Sequence, residues 1–328
     1  MGKITRRAVT AGGLWLAASP AFAQSGWPAG AGTIRLIVPF PAGGSVDAVA
    51  RLAQTGLQSR LGASVVVENQ PGASGAAGTA RVARAAPDGT NWLFVFDTHA
   101  VNPAMQQLPF DTERDLEPVM LVGRAPNVMA THPGKPYRTL ADVIAAAKAD
   151  SGKVNYATIG VGSLGHLTMI RLGKAAGVTF THVPYRGGGP AINDAIAGHV
   201  ELIVASTAVV NPQLVARGLR GIAQFGAVRR TSETLRDIPT AIEGGYPGLE
   251  SVAWWGVFAP GRTPAPMIER FRADLAASLS EPRSAAILTD SQQMEVLMGG
   301  PGDLRAFLER EMTVWGAVVR ENNIKADS

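Results

Sequence analysis

The sequence predicts an α/β protein made of two doubly wound halves, and three observations carry that prediction. Between residues 34 and 96, short apolar runs alternate with amphipathic stretches in the order strand, helix, strand, helix, strand, the pattern of a parallel sheet wound by helices. The same alternation starts again beyond residue 116. The chain has 328 residues, more than the ~250 to 300 at which one core usually stops growing, and its 46% hydrophobic and 17% charged residues supply material for two.

Ile34, Leu36, Ile37 and Val38 form the first apolar run, which Pro39 and Pro41 end. Gly43 and Gly44 follow, then Ser45 in the position of a helix N-cap, and Val46, Val49, Ala50, Ala53, Leu57 and Leu61 recur at helical spacing. VVVEN at 65–69 reads as the second strand, closed by Gln70, Pro71 and Gly72. A small-residue helix is expected at 76–86, then a Pro87-Asp88-Gly89 turn and a third strand at 92–96. In the second block, strands are expected at 118–122, 127–131, 154–159, 179–183, 202–205 and 220–225, with helices at 140–149, 167–176 and 191–197. A further apolar run at 251–258, SVAWWGVF, precedes closing helices at 264–279, 283–290 and 303–321. This order suggests one domain at 24–122 plus 252–328 and a second at 123–251, with two extended crossings and a cleft between them.

Residues 1–23 belong to neither half. Lys3, Arg6 and Arg7 precede an apolar segment at 8–18, and Ala21-Phe22-Ala23 has the small-x-small form of a signal cleavage site. Export to the periplasm is expected, by the Sec or the twin-arginine route, with a mature chain starting at Gln24. The apolar segment is shorter than the ~20 residues a membrane span needs. The formal charge of +4 falls to +1 without the three leader cations, which removes the case for a nucleic-acid or membrane-surface partner. With no cysteine, disulfides, thiol chemistry and zinc–thiolate sites are excluded.

The organising stretch is PFPAGGSVDAVAR at 39–51. It turns a buried strand straight into a helix, so the unpaired N–H groups and positive dipole end of the first turn face the loop at the strand's carboxyl end. A carboxylate or phosphate can be held there, around Phe40, Ala42, Gly43, Gly44 and Ser45, without any Lys or Arg. A well-made turn with nothing bound would look the same. Asp47 is a poor ligand for an anion and is expected to brace the loop by accepting from its N–H groups. Thr98 and His99 lie at a second strand end.

Gly160-Val161-Gly162-Ser163-Leu164-Gly165 matches G-x-G-x-x-G after an expected strand and before an expected helix. No acidic residue ends the next strand to hold a ribose, where the chain reads Tyr185-Arg186, but Arg186 can face a 2′-phosphate. An NADP-linked oxidoreductase therefore stands open beside a second anion-holding helix start. Arg186 can also pair with a carboxylate or simply be solvated, and Ser206 and Thr207 follow the strand at 202–205 as cleft or loop hydroxyls. The five histidines have no metal spacing, and His99 and His166 alone lie at strand ends or helix starts. Outside the NADP alternative, no catalytic residue, metal or cofactor is expected.

Taken together, IRLIVPFPAGGSVDAVAR, VVVENQPGASG, AAPDGT, HAVNP, NYATIGVGSLGHL, HVPYRGGGPA and the tryptophan-bearing run with APGRTPAP resemble the tripartite tricarboxylate transporter substrate-binding family, the Bug receptors, over residues 34–324. The resemblance implies a type II periplasmic-binding-protein fold, a Venus flytrap of two α/β domains closing on a small carboxylate or dicarboxylate. It implies that Phe40 shields the ligand, that Gly43, Gly44 and Ser45 donate to it, and that Thr98, His99, Gly162, Ser163 and Arg186 line the cleft; His166, Ser206 and Thr207 are further candidate ligand-binding residues from their positions alone. It also implies delivery to membrane transporter subunits; a monomer is expected, and a sensor partner outside transport is the alternative. Many relatives carry Asp or Asn with a nearby Pro-Ser after the strand at 202–205, where this chain has Ser206-Thr207-Ala208-Val209. Without that carboxylate a second ligand anion, or a neutral polar end, is easier to accept.

Overall fold

A computed structural model describes Trp27, Pro28 and residues 32–326, so the expected leader at 1–23 lies outside the described residues. The first half opens as the periodicity suggests: β1 (Ile34–Val38), α1 (Ser45–Leu61), β2 (Val65–Asn69), α2 (Ala76–Ala83) and β3 (Asn91–Val95). β1 lies between parallel β2 and β3, with Leu36 opposite Val67 and Trp92. α3 (Thr98–Met105) follows, a helix absent from the sequence reading because it is short and contains Pro103.

β4 (Leu116–Thr131) is one strand of 16 residues where two were expected. It pairs antiparallel with β9 (Val252–Pro260) as far as Pro126, and from Asn127 with β7 (Leu202–Ser206) and, one residue on, β8 (Arg220–Gln224). Proline cannot donate to a ladder, and Pro126 sits where the strand changes partners. The sequence boundary after 122 thus falls inside β4. At the changeover the Asn127 amide donates to Ser251 O (3.1 Å), Phe225 N–H to Asn127 O (2.8 Å) and Ser251 N–H to Phe225 O (2.7 Å). The Asn127 side chain adds a buried bond to Ser251 Oγ at 2.8 Å.

The second half comprises α4 (Leu140–Ala149), β5 (Asn155–Thr158), α5 (Leu164–Ala176), β6 (Thr181–Pro184), α6 (Gly188–Ile196), β7, α7 (Thr207–Val215) and β8. Here α7 is the unforeseen helix, interrupted by Pro212. The chain closes with α8 (Ala265–Leu279), α9 (Pro282–Ala286), a π turn at Ile287–Ser291, the unforeseen strand β10 (Glu295–Gly299) and α10 (Pro301–Glu321). One mixed sheet runs β2-β1-β3-β9-β4-β7-β5-β6, and β8 and β10 also pair with β4.

β9 shows the period-two logic of a strand covered on both faces. Trp255, Val257 and Ala259 enter the core under α1 and α8, while Trp254 and Phe258 enter the core under α10. Trp92 stacks flat on Phe271 of α8 at 3.7 Å, fixing α8 to the sheet. α10 reaches both halves: Trp315 and Val319 cluster with Val101 and Met105 of α3 and with Leu164 and Leu167 of α5.

Candidate functional site

The carboxyl ends of β1 and β2 build a loop that is clamped from below. Gly43 takes a φ of +81°, which suits glycine, and Gly44, not Ser45 as expected, is the N-cap of α1; Ser45 is the first helical residue. No side chain caps this terminus, so the first-turn N–H groups face the loop. Asp47 is buried beneath them and accepts from Gly43 N–H (2.9 Å), Arg51 Nε (2.8 Å) and Asn69 Nδ2 (2.9 Å). Asn69 Nδ2 also donates to Phe40 O at 3.2 Å, tying the end of β2 to the loop. Burial pushes the Asp47 carboxyl up, but Arg51, the Gly43 amide and Asn69 together hold it below the usual carboxylate range. The bracing role read from sequence is therefore present, and it has a consequence: the Gly43 N–H, expected to serve a ligand, is given to Asp47. The first intrahelical bond is Ala48 N–H to Gly44 O (3.0 Å), so the amides of Ser45, Val46 and Asp47 have no intrahelical partner.

Phe40 stands beside this turn, edge-on to Phe96 (6.4 Å), which is edge-on to Trp255 (5.1 Å). The space for Phe40 comes from Gly75, where a Cβ would lie 3.1 Å from Phe40 Cζ. Residues 72–75 all have positive φ, including Ala73 (46°) and Ser74 (52°). Such non-glycine conformations cost ~1 to 3 kcal/mol each and persist only when neighbours over-determine them. The neighbours are Thr98 Oγ1 and Asn102 Nδ2, both donating to Ser74 O (3.1 and 3.0 Å), and Gln106 Nε2, donating to Ala73 O at 3.1 Å.

The second Gly/Ser turn, 160–163, sits at the carboxyl end of β5 and opens α5. Its glycines are explained by packing: a Cβ on Gly162 would meet Met105 Sδ at 2.0 Å, and one on Gly165 would meet Val204 O at 2.2 Å. Ser163 Oγ donates back to Gly160 O (2.7 Å), and the Gly162 N–H donates to His166 Nδ1 (3.2 Å). The fingerprint is thus satisfied by contacts with α3 and β7.

The remaining expected residues divide. Ala42 and Arg186 are exposed, Arg186 at the end of β6 before the N-cap Gly187 of α6. Thr98 is spent on Ser74. His99 is turned away from the strand ends into the core, 4.9 Å from the Phe258 ring, and burial lowers its pKa to about 4, so it is neutral. Ser206 is the N-cap of α7 with its Oγ buried and unpartnered, and Thr207 Oγ1 donates to Gln292 O (3.1 Å) across to the first half. Asn211 extends that seam, donating to the carbonyls of Asp290 (3.3 Å) and Ser291 (3.1 Å) in the π turn. Surface hollows of about 310 and 390 Å³ lie elsewhere, beside the end of α3 and behind α5, and neither includes these turns.

Sequence reasoning missed Asn69, Arg51, Ser74 and the Gln292 seam. Asn69 was findable, since an amide ending β2 must lie beside the end of its parallel neighbour β1; the seam was not, because it joins positions 85 residues apart.

The sequence profile described as the tripartite tricarboxylate transporter family receptor matches residues 49–324. BugT of Bordetella pertussis is 32% identical over 89% of this chain and 90% of its own, and a Pseudomonas protein encoded between tcbD and tcbE is 31% identical over 90% and 87%. Among solved structures, Rpa4515 of R. palustris with adipate superposes with a TM-score of 0.84 at 29% identity, covering 91% of this chain and 99% of that one. MatC of Rhodopseudomonas palustris with bound malate gives 0.80 at 29% identity, covering 88% and 98%. The α/β fold with its curled mixed sheet is that of these periplasmic binding proteins, and the chain belongs to the tripartite tricarboxylate transporter receptors of the Bug family.

Proposed function

We propose that this receptor captures a small dicarboxylate between two lobes, residues 24–122 plus 252–328 and residues 123–251, and delivers it to the membrane subunits of a tripartite transporter. The observation that carries this reading is the α1 turn: an uncapped helix start whose loop is held by the protein's own Asp47 and Asn69. One carboxylate is received by the N–H groups of Gly44, Ser45 and Val46, beside Phe40. The other lobe meets the distal end with the turn at 160–163, the start of α7 and Arg186. Closure is favoured by whatever contacts the ligand makes to both lobes at once. The absence of an acid at 206 and 207 suits a second negative group, and adipate and malate in the related structures support the size class. The protein acts by reversible binding without turnover, as a monomer, after cleavage following Ala23.

The test is thermal unfolding and calorimetry of protein that has been unfolded and refolded to strip any carried ligand, against adipate, malate, tricarboxylates, aromatic acids and NADPH. A ligand at 100 times its Kd adds about 2.7 kcal/mol, a rise of several degrees. Saturable binding of a dicarboxylate and not of NADPH is expected. Binding of NADPH alone would return the reading to an oxidoreductase.

A further inference from the structure

Four consecutive main-chain carbonyls at 290–293, where the π turn ends, accept from side chains of the opposite half. Asn211 Nδ2, on α7, donates to Asp290 O and Ser291 O at 3.3 and 3.1 Å. Thr207 Oγ1 donates to Gln292 O at 3.1 Å, and Arg230 Nη2, from the segment after β8, donates to Gln293 O at 3.1 Å. Two of these donors are themselves held. Thr234 Oγ1 donates to Asn211 Oδ1 (2.8 Å), the Arg230 amide donates to Gln224 Oε1 (3.1 Å), and Arg230 Nη1 stands 4.0 Å from Glu295, which Arg124 also grips.

The carbonyls are free to accept because of the way their segment ends. A helix leaves its last four C=O groups without intrahelical partners. Here α9 runs into the π turn, the amides of Gln292 and Met294 return to Ile287 O (3.0 Å) and Leu288 O (2.9 Å), and Gln293 leaves the turn at a φ of +55°. Within its own half, Asp290 O also accepts from Gln293 Nε2 at 2.6 Å. The cation of Arg230 suits this negative end of the helix.

The seam is incompletely bonded. Ser206 Oγ, next to Thr207, and Gln292 Oε1 are buried beside it without partners. A buried polar atom left unpaired costs stability that water restores, so opening this contact recovers part of what it breaks. Elsewhere the halves meet through the apolar contact of α5 with α3 and α10, rimmed by Lys174 with Glu321 and by Arg171 over Trp315.

We propose that the π turn, α7 and Arg230 form a latch that holds the two lobes together through the protein's own groups, and that the receptor must release it to admit a ligand. The lobes and the ligand class rest on the receptor reading above. The latch bonds favour closure with or without a ligand between the lobes, so they set how often the site opens and not how tightly the closed form grips. Weakening the latch therefore speeds entry and escape together.

Two variants test this. Asn211→Asp keeps the shape of the side chain and the acceptor for Thr234 but puts a carboxylate oxygen against the carbonyls of Asp290 and Ser291; Arg230→Met removes the donor to Gln293 O. The chain has no cysteine, so Ala77→Cys on α2 and Asn193→Cys on α6 accept a pair of spin labels. Both positions are exposed and follow β2 and β6, the two ends of the sheet, where a hinge in the crossing strands β4 and β9 moves them most. Protein is stripped by unfolding and refolding, and the distance between labels is measured by pulsed electron spin resonance. The wild-type background should give one closed distance with and without malate. Asn211→Asp with Arg230→Met should show a longer distance without ligand, the closed-to-open ratio falling about tenfold or more, and recover the closed one with malate. Stopped-flow fluorescence with malate and adipate should show association and dissociation both about tenfold faster, with Kd within about threefold of wild type. A wild type that is open without ligand, or variants whose distances match it, overturns the proposal; so does a Kd that rises with association unchanged, the mark of a merely structural defect. If the double variant does not fold, Arg230→Met alone decides, with a smaller shift in the same direction expected. Failure of both dicarboxylates to bind wild type sinks the ligand reading, and the ligand-free distances then decide this one alone.

Discussion

Replacing Asp47 with alanine tests the central piece of the site. The carboxylate accepts from the Gly43 amide, from Asn69 Nδ2 and from Arg51 Nε, at 2.9, 2.9 and 2.8 Å. Hydrogen bonds to a charged acceptor are worth about 1.5 to 3 kcal/mol each. The Arg51 side chain is 51% exposed, so solvent screening limits its share to about 1 kcal/mol or less. Part of the loss is recovered because the freed Gly43 amide, on an exposed loop, can turn to water, and about 2 to 4 kcal/mol of stability should disappear. If about 2 kcal/mol of this is the order of the loop itself, the competent conformation becomes rarer and Kd rises roughly 30-fold. Urea denaturation gives the first number, calorimetry with adipate and malate the second, and hydrogen exchange at Gly43 shows whether the loop is the part that loosened. Affinity within about threefold of wild type, with Gly43 exchange unchanged, would refute the claim that Asp47 preorganises the turn. The sign of the pH effect is also set. A carboxyl held below its usual value contributes fully above about pH 4, and its contribution is lost as acid brings the pH through the folded value. Asp47→Ala should therefore flatten that part of the acid limb.

Asp97, at the end of β3, is buried with Oδ1 unpartnered, and burial, then the charge of Glu311, pushes its carboxyl well above the usual range. The fold therefore prefers it protonated, and stability falls as pH rises above about 4; the urea midpoint of Asp97→Asn should drop less than that of wild type between about pH 5 and 8. Gly165→Ala drives a methyl to 2.2 Å from the Val204 carbonyl, where backbone must move, and should cost about 2 to 4 kcal/mol in denaturant melts. Asn211→Ala removes bonds to Asp290 O, Ser291 O and Thr234 Oγ1 at once and should cost about 1 to 3 kcal/mol by the same measurement.

The parts of the fold that could be read from sequence are those governed by local pattern. β1, α1 and their junction carry clean periodicity and proline and glycine stops, so the turn and the bracing role of Asp47 were both visible. β4 was not, because Gly123, Arg124 and Pro126 look like a breaker when nothing shows that two different partners wait on either side of them. α3 and α7 are short, hold Pro103 and Pro212, and are stabilised by tertiary bonds from Asn102 and Asn211 more than by propensity. The N-cap moved from Ser45 to Gly44 because Asp47 secures the loop from inside the helix, which removes the need for a hydroxyl cap. His99 illustrates the opposite limit: a strand-end position says where a residue starts, and only packing against Phe258 shows which way it faces.

The bonded knot of Asn127, Phe225 and Ser251 means that the intervening stretch leaves and rejoins the remaining fold at one spot, with Asn127 N–H donating directly to Ser251 O. A segment with adjoining ends can be lifted out and replaced whole without stretching what surrounds it. Exchanging 127–251 with the corresponding piece of another Bug receptor is thus a route to hybrids that keep the α1 turn, provided the incoming piece also meets the Gln292 and π-turn carbonyls that Thr207 and Asn211 bond here and the α10 face under Leu164 and Leu167.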